Sequence, residues 1–190
     1  VFLLSACVPA APASGPMSGS IPLEDCRISM PGGSLQISAR CGTLPICEDR
    51  AAANGRKIDL HIAVIPAASQ NGADDPLFLL AGGPGQAATE AFVPLINSLK
   101  RANFKRDLVM VDQRGTGKSN PLRCPTPARL EGYISGQNIP LERELAALET
   151  CLKQLKGDPR FYTTEIAVQD LDDVRRALGY GQINLLGVSY

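Results

Sequence analysis

Four short apolar segments constrain the fold of this 190-residue chain more than any other feature. Most positions in each are apolar, which is typical of a strand that is covered on both faces of a sheet. The segments are 57–65, 76–81, 107–112 and 183–187. A chain with several such strands must place other elements against both faces of its sheet.

Segments with helical periodicity fill the intervals between these strands. Apolar residues recur every three to four positions over 87–102, 141–155 and 165–178, as on the buried face of a helix. Pro94 interrupts the first segment, and we expect it to kink or split that helix. Covered strands that alternate with helices predict an α/β fold with a mostly parallel sheet flanked by helices.

Residues 1–20 differ in composition from residues 21–190, which hold all of these elements. Residues 1–7 are apolar and end in small side chains, like the tail of a secretory signal. Residues 8–20 are mostly Pro, Ala, Ser and Gly, a composition typical of a tether. We therefore separate a signal remnant and tether, 1–20, from a folded part, 21–190.

Cys7 is a candidate for lipidation. Leu4-Ser5-Ala6-Cys7 resembles a bacterial lipobox, in which the cysteine receives acyl chains that anchor the protein to a membrane. The alternative is ordinary signal cleavage after Ala11-Pro12-Ala13. Both interpretations predict export, as a periplasmic, membrane-anchored lipoprotein or a secreted protein. Membrane contact is expected only through the lipid at Cys7.

Six cysteines are many for a cytosolic enzyme. The absence of a C-x-x-C pair and the presence of a single histidine argue against a metal site. Disulfides in an oxidising compartment are the favoured interpretation, and scattered buried thiols are the alternative. We expect Cys26 to pair with Cys41 and Cys124 with Cys151. The partner of Cys47 stays open, and a cysteine after the end of this sequence is one candidate.

The charge balance and the glycine spacing give no sign of a nucleic-acid or nucleotide partner. Basic and acidic residues number 19 each, so the net charge gives no support for a nucleic-acid partner. A glycine-containing turn with Lys118 and Ser119 follows the third strand, but Gly115 and Gly117 are too close for a phosphate-binding loop. We therefore predict no nucleic acid, no cofactor and no metal.

Three distinctive sequences follow strands of the predicted sheet. They are Gly-Gly-Pro-Gly at 82–85, Asp-Gln-Arg-Gly-Thr-Gly-Lys-Ser at 112–119 and Gly-Val-Ser-Tyr at 187–190. Open α/β sheets carry their sites at the carboxyl ends of the strands. The last sequence begins the G-x-S-x-G pattern of a nucleophile elbow, in which the serine sits on a sharp turn between strand and helix.

In this order and spacing, the three sequences resemble those of α/β-hydrolases, and in particular the proline iminopeptidase and tripeptidyl aminopeptidase branch. Residues 41–45 and the helix at 170–179 extend the resemblance to about 40–190. The resemblance implies that 21–190 is the N-terminal part of a catalytic domain. The acid and the histidine of its triad are then expected after residue 190, so we expect this part to be inactive alone.

The resemblance also implies roles for individual residues. Ser189 becomes the nucleophile, and the backbone N–H of Tyr190 becomes one donor to the oxyanion. The second donor is expected from Gly83, with Gly82 as the alternative. Ala81 stands where the family usually has a histidine, which removes a bracing side chain but no N–H donor.

We expect three further polar residues to have a structural and not a catalytic role. We expect Asp112 and Arg114 to support the loops around the oxyanion site and not to touch substrate. His61 lies in the middle of a strand and precedes Ser189. We expect it to pack within the sheet and not to complete the triad.

The resulting functional hypothesis is a serine hydrolase that acts on a peptide or a small acyl substrate. The resemblance favours a peptidase that releases N-terminal residues through an acyl-enzyme. An esterase-type α/β-hydrolase and a non-catalytic, envelope-anchored binding protein on the same scaffold are the alternatives. Epoxide hydrolases and dehalogenases carry aspartate at the elbow, so Ser189 disfavours them.

Overall fold

A computed structural model describes residues 21–52, 54–83, 85–124 and 139–189. Six strands within these ranges form one sheet with the order β1-β2-β3-β5-β4-β6. The strands are β1 (Glu24–Ser29), β2 (Gln36–Cys47), β3 (Lys57–Ile65), β4 (Leu77–Leu80), β5 (Leu108–Val111) and β6 (Asn184–Gly187). The last four coincide closely with the four apolar segments.

The sheet is mixed, and its parallel part carries the three distinctive sequences. β4 runs parallel to both β5 and β6, whereas β1, β2 and β3 add antiparallel pairings up to β5. The short connections after β1 and β2 permit only antiparallel neighbours. The predicted α/β fold is therefore confirmed, with its parallel pairing confined to β4, β5 and β6 among the described strands.

The helices are α1 (Ala88–Ala91), α2 (Lys100–Asn103), α3 (Leu141–Gln154) and α4 (Thr164–Ala177), with 3-10 segments at Val93–Leu99 and Pro159–Phe161. The segment predicted as one helix over 87–102 is divided into α1, a 3-10 segment and α2. Pro94 lies at the start of the 3-10 segment, where its missing N–H and fixed ring interrupt the α-helical hydrogen bonds.

Apolar side chains from the strands form a core on each face of the sheet. On one face, Leu60, Ile62, Phe78 and Val109 pack with residues of α4 that include Val174. The other face has a second cluster, in which strand residues meet the segment after β4: Ala63, Leu79, Met110, Ala88, Phe92, Val93 and Ile96. The strands at the centre of the sheet are therefore covered on both sides, as continuous apolar segments require.

The hairpin of β1 and β2 is longer than the sequence indicates. Residues 36–41 and their neighbours have the sequence of a short strand, whereas β2 continues through Gly42 and Pro45, which are unusual inside a strand. Pairing of β2 with β1 ends at Cys41, so the part of β2 that holds Pro45 has a neighbour on one side only. The predicted bond between Cys26 and Cys41 joins these two strands.

The described chain divides into two compact units, one up to Pro121 and again from Arg160, the other Leu122–Pro159. The second unit contains α3 and the predicted disulfide between Cys124 and Cys151. Cys151 is buried, but the leucine stripe of α3 is more than half exposed: Leu141, Leu145, Leu148 and Leu152. The apolar stripe that the sequence predicts is thus present on α3, but no described residue of this unit buries it.

The remaining predictions concern the other cysteines, membrane contact and metals. Cys47 is disulfide-bonded within this chain as well, so the candidate partner after the end of this sequence is wrong. Cys7 and the rest of 1–20 lie outside the described residues. Within the described ranges, no helix is both long and apolar enough to cross a membrane. The same ranges contain no group of three side chains that could hold a metal ion.

Candidate active site

The site begins where β4 and β6 end side by side. These strands are parallel neighbours, with Leu80 opposite Gly187. The pairing continues past both strands, because the N–H of Val188 donates to the Leu80 carbonyl at 3.1 Å. The two segments that follow, one with Gly82 and the other with Ser189, therefore leave the sheet at the same edge.

Ser189 has the backbone conformation of a tight turn. Its φ is +62°, in the left-handed region that residues with a Cβ seldom adopt. It follows β6 by two residues and is exposed. A strained residue at the end of a strand is the feature that lifts a nucleophile above an α/β sheet. Tyr190 lies outside the described residues, so its N–H stays a predicted donor.

The loop between β4 and α1, residues 81–87, contains the glycines that the sequence predicts as oxyanion donors, and we call it the oxyanion loop for that prediction. The N–H of Gln86 bonds to the Gly82 carbonyl at 3.1 Å, which closes the loop on itself. Gly83 has a φ of +119°, and a Cβ there would lie 3.1 Å from the Gln86 nitrogen. Gly83 is exposed and Gly82 is buried. Pro84 lies outside the described residues.

Asp112 follows β5 and is completely buried. Its Oδ1 accepts hydrogen bonds from the N–H of Thr89 at 3.0 Å and from Thr89 Oγ1 at 2.9 Å. Its Oδ2 accepts from the N–H of Lys118 at 3.1 Å. Thr89 belongs to α1, directly after the oxyanion loop. The Asp112 carboxylate therefore joins that region to the 112–119 turn.

Arg114 lies in the same turn, and its side chain is 1% exposed. Its guanidinium forms a two-pronged pair with Asp170 of α4, from Nε at 2.6 Å and from Nη2 at 2.7 Å. Nη1 donates to the carbonyls of Glu48 and Phe161. Paired bonds of this kind fix orientation as well as distance, so Arg114 ties the turn to α4.

The ion pairs continue beyond Arg114. Arg50 donates to both Asp170 and Asp173. Burial by itself lowers the pKa of Arg50, but the two carboxylates outweigh it and raise the pKa overall. Two arginines and two aspartates therefore share a part-buried cluster, in which each charge has an opposite partner. Arg176 of α4 extends it by donating to Asp173.

A neutral phenol completes this region. The Tyr162 hydroxyl donates to Glu48 Oε1 at 2.7 Å and accepts from the side-chain amide of Asn120 at 2.6 Å. Burial and the bond to Glu48 raise the pKa of Tyr162 to about 12. The hydroxyl therefore keeps its proton at neutral pH and acts here as a structural donor.

His61 lies beneath the 112–119 turn. Its backbone N–H donates to Ser119 Oγ at 2.8 Å, and its carbonyl accepts from the N–H of Asp112. The side chain is buried, and burial lowers the pKa of the imidazole. His61 is thus built into the sheet, and the sequence contains no second histidine.

The sequence does not point to Thr89 or to the partner of Arg114. Thr89 is 23 residues from Asp112, and no local pattern links a threonine to a distant aspartate. Asp170 is visible only as one acidic residue among several in an amphipathic helix. Its burial inside a hydrogen-bonded pair depends on tertiary structure.

Comparisons with known proteins agree with this geometry. A family model described as the alpha/beta hydrolase fold matches residues 75–190. The chain is 30% identical over 178 residues to the serine protease Hip1 of Mycobacterium tuberculosis, covering 87% of this chain and 34% of that protein. It is 29% identical over 180 residues to the tripeptidyl aminopeptidase of Streptomyces lividans, covering 88% and 33%. The chain thus spans about a third of the length of the curated relatives it matches.

Proposed function

This chain belongs to the alpha/beta-hydrolase fold family, and on that premise we propose that it carries the nucleophile and oxyanion loop of a serine peptidase. The observation that carries the proposal is Ser189 at a φ of +62°, next to the glycine-shaped loop that follows β4. Similarity to a serine protease and to a tripeptidyl aminopeptidase supports a peptidase within this family.

The proposed reaction begins with attack of Ser189 Oγ on the carbonyl carbon of the substrate. A serine hydroxyl needs a base to take its proton, and we assign that base and its acid partner to residues after 190. Attack places negative charge on the former carbonyl oxygen. The backbone N–H groups of Tyr190 and Gly83 are our proposed donors to it, each worth ~3–4 kcal/mol.

Collapse of the tetrahedral intermediate then breaks the scissile C–N bond. The base returns its proton to the leaving amine, and Ser189 is left as an ester with the acyl part of the substrate. Water attacks this acyl-enzyme and the same base takes its proton. The bond between the acyl carbon and Ser189 Oγ then breaks, the base returns its proton to Oγ, and the acid product leaves. This sequence applies to an amide and to an ester, so it does not by itself define the substrate.

We propose peptides with a free N-terminus as substrates, by analogy with the named activity of the tripeptidyl aminopeptidase. A full-length protein of this kind should hydrolyse a tripeptide amide faster than its N-acetylated form. Recognition of a charged ammonium group contributes ~1.5–3 kcal/mol, so acetylation should lower kcat/KM by about 10–100-fold. Release of the tripeptide, measured by chromatography, checks this.

The matched variants are Ser189→Ala, which should abolish hydrolysis, and Ser98→Ala, an exposed serine elsewhere on the chain that should leave it unchanged. A short-chain ester is assayed in parallel. Hydrolysis of the ester alone would favour an esterase. No hydrolysis of either substrate would favour the binding-protein alternative.

A further inference from the structure

We propose that Asp112 is a positioning residue that holds the oxyanion loop, residues 81–87, in register with Ser189. The inference rests on the proposed function, since it assigns Asp112 a part in the same site. Asp112 acts through Thr89 and the backbone and does not touch the substrate. Its effect is on where the oxyanion donor lies when the tetrahedral intermediate forms.

The carboxylate of Asp112 is enclosed by donors that belong to two segments. Both oxygens accept from the Thr89 hydroxyl, at 2.9 and 3.0 Å, and one also accepts from the Thr89 N–H. The other oxygen accepts from the N–H of Lys118. A buried charge with this many bonds has little freedom to move, so α1 and the 112–119 turn are fixed relative to each other.

Gly117 gives independent evidence that this contact is close. Its φ is +49°, and a Cβ there would lie 2.2 Å from Oδ2 of Asp112 and 2.7 Å from the Cβ of Ala87. Ala87 is the last residue of the oxyanion loop. The turn therefore packs against the carboxylate and the loop so tightly that only glycine fits.

The other end of the same turn is tied to the helix that precedes the nucleophile. Arg114 is paired with Asp170 of α4, and α4 is followed along the chain by β6 and Ser189. Asp112 thus links the turn to the loop side of the site, and Arg114 links it to the nucleophile side. Loss of the Asp112 bonds should move the proposed Gly83 donor relative to Ser189 while the nucleophile itself stays in place.

Asp112→Asn tests this with almost no change in side-chain volume. An asparagine has one acceptor oxygen and one NH₂ donor, whereas both positions here face donors. Whichever way the amide is oriented, its NH₂ group meets an N–H or the Thr89 hydroxyl. Thr89→Val removes the hydroxyl and keeps the shape, and Thr89→Ser restores the hydroxyl.

Asp107→Asn is the matched control at the opposite end of β5. Asp107 accepts hydrogen bonds from the N–H of Ala67 at 2.7 Å and from the Tyr180 hydroxyl at 2.6 Å. It therefore resembles Asp112 as a hydrogen-bonded carboxylate at an end of β5. It is only half-buried and, among the described residues, has no bond to the oxyanion loop region. Its replacement should lower thermal stability without changing the turnover of the folded enzyme.

The experiment measures kcat and KM for the tripeptide amide and the rate of fluorophosphonate labelling, per folded full-length protein. We expect Asp112→Asn to lower kcat by about 100-fold with little change in KM, since small displacements of reacting groups cost factors of this size. Thr89→Val should lower kcat by about tenfold. Thr89→Ser should restore it to within about twofold of the wild type, because the hydroxyl is regained.

Three outcomes separate the inference from the proposed function. An active wild type with normal kcat in both Asp112→Asn and Thr89→Val would overturn the positioning role alone. Equal losses in Asp112→Asn and Asp107→Asn would also overturn it, because they would reflect stability. A wild type that neither hydrolyses nor labels would overturn the proposed function and this inference with it. If Asp112→Asn does not fold, the kcat values of the two Thr89 variants decide.

Discussion

Ser189 and Gly83 both have positive φ values, and a different local pattern predicts each of them. The order glycine, any residue, serine after a strand predicts a turn at Ser189, because such an elbow is a local pattern. The glycines at 82–85 likewise predict an unusual backbone. The bonds of Asp112 with Thr89 and of Arg114 with Asp170 join residues far apart in the chain, so they could not be predicted from spacing.

His61 gives a prediction for the pH dependence of stability. Burial lowers the pKa of its imidazole, with the charge of Asp112 opposing and that of Lys118 adding to this effect. The unfolded chain, with an ordinary histidine pKa of ~6.5, then binds more protons in mild acid than the folded chain. The free energy of unfolding should therefore fall as the pH drops below ~6.5 and through the lowered pKa.

His61→Leu should remove this component, since leucine binds no proton and Nε2 has no hydrogen-bond partner among the described groups. Urea unfolding of both proteins at about pH 7.5 and about pH 5 measures it. The wild type should lose more stability between the two values than the variant. Equal losses would contradict a buried neutral imidazole.

Elements differ in how much of their structure the sequence encodes locally. β3, β4 and β5 are predicted well because each is a short apolar segment that both faces of the sheet cover. β6 lies where its apolar segment predicts, but most of it is exposed and Leu185 is not covered. β1 and the length of β2 are missed, since Pro45 is tolerated only because β1 no longer pairs there. The division of 87–102 follows from Pro94, although its 3-10 form does not.

The disulfide between Cys26 and Cys41 should stabilise the β1–β2 hairpin. The two cysteines are 15 residues apart, and closing a loop of that length in the unfolded chain is worth ~3 kcal/mol in the chain-entropy estimate. A Cys26→Ala/Cys41→Ala double variant should lose about that much free energy of unfolding in urea. The single variant Cys26→Ser should lose a similar amount, because either change opens the bridge. An unchanged urea midpoint in the double variant would refute the contribution.

The molecule as a whole brings its three distinctive sequences to one edge of the parallel strands. That arrangement could be predicted, because neighbouring parallel strands end on the same side. The cluster of Arg50, Arg114, Asp170 and Asp173 could not, since a net charge of zero says nothing about which charges are buried together. This cluster joins the loop after Cys47, the 112–119 turn and α4. It therefore fixes the turn, which also contacts the oxyanion loop region, relative to α4.

The most direct test of Ser189 as the nucleophile is the position at which a fluorophosphonate probe attaches to the full-length protein. Such probes react with a serine only when its oxygen is activated and the phosphoryl oxygen is stabilised. Peptide mapping by mass spectrometry should find one adduct, on Ser189, and Ser189→Ala should show none. Labelling that persists in Ser189→Ala, or an adduct on another residue of the wild type, would contradict Ser189 as the nucleophile.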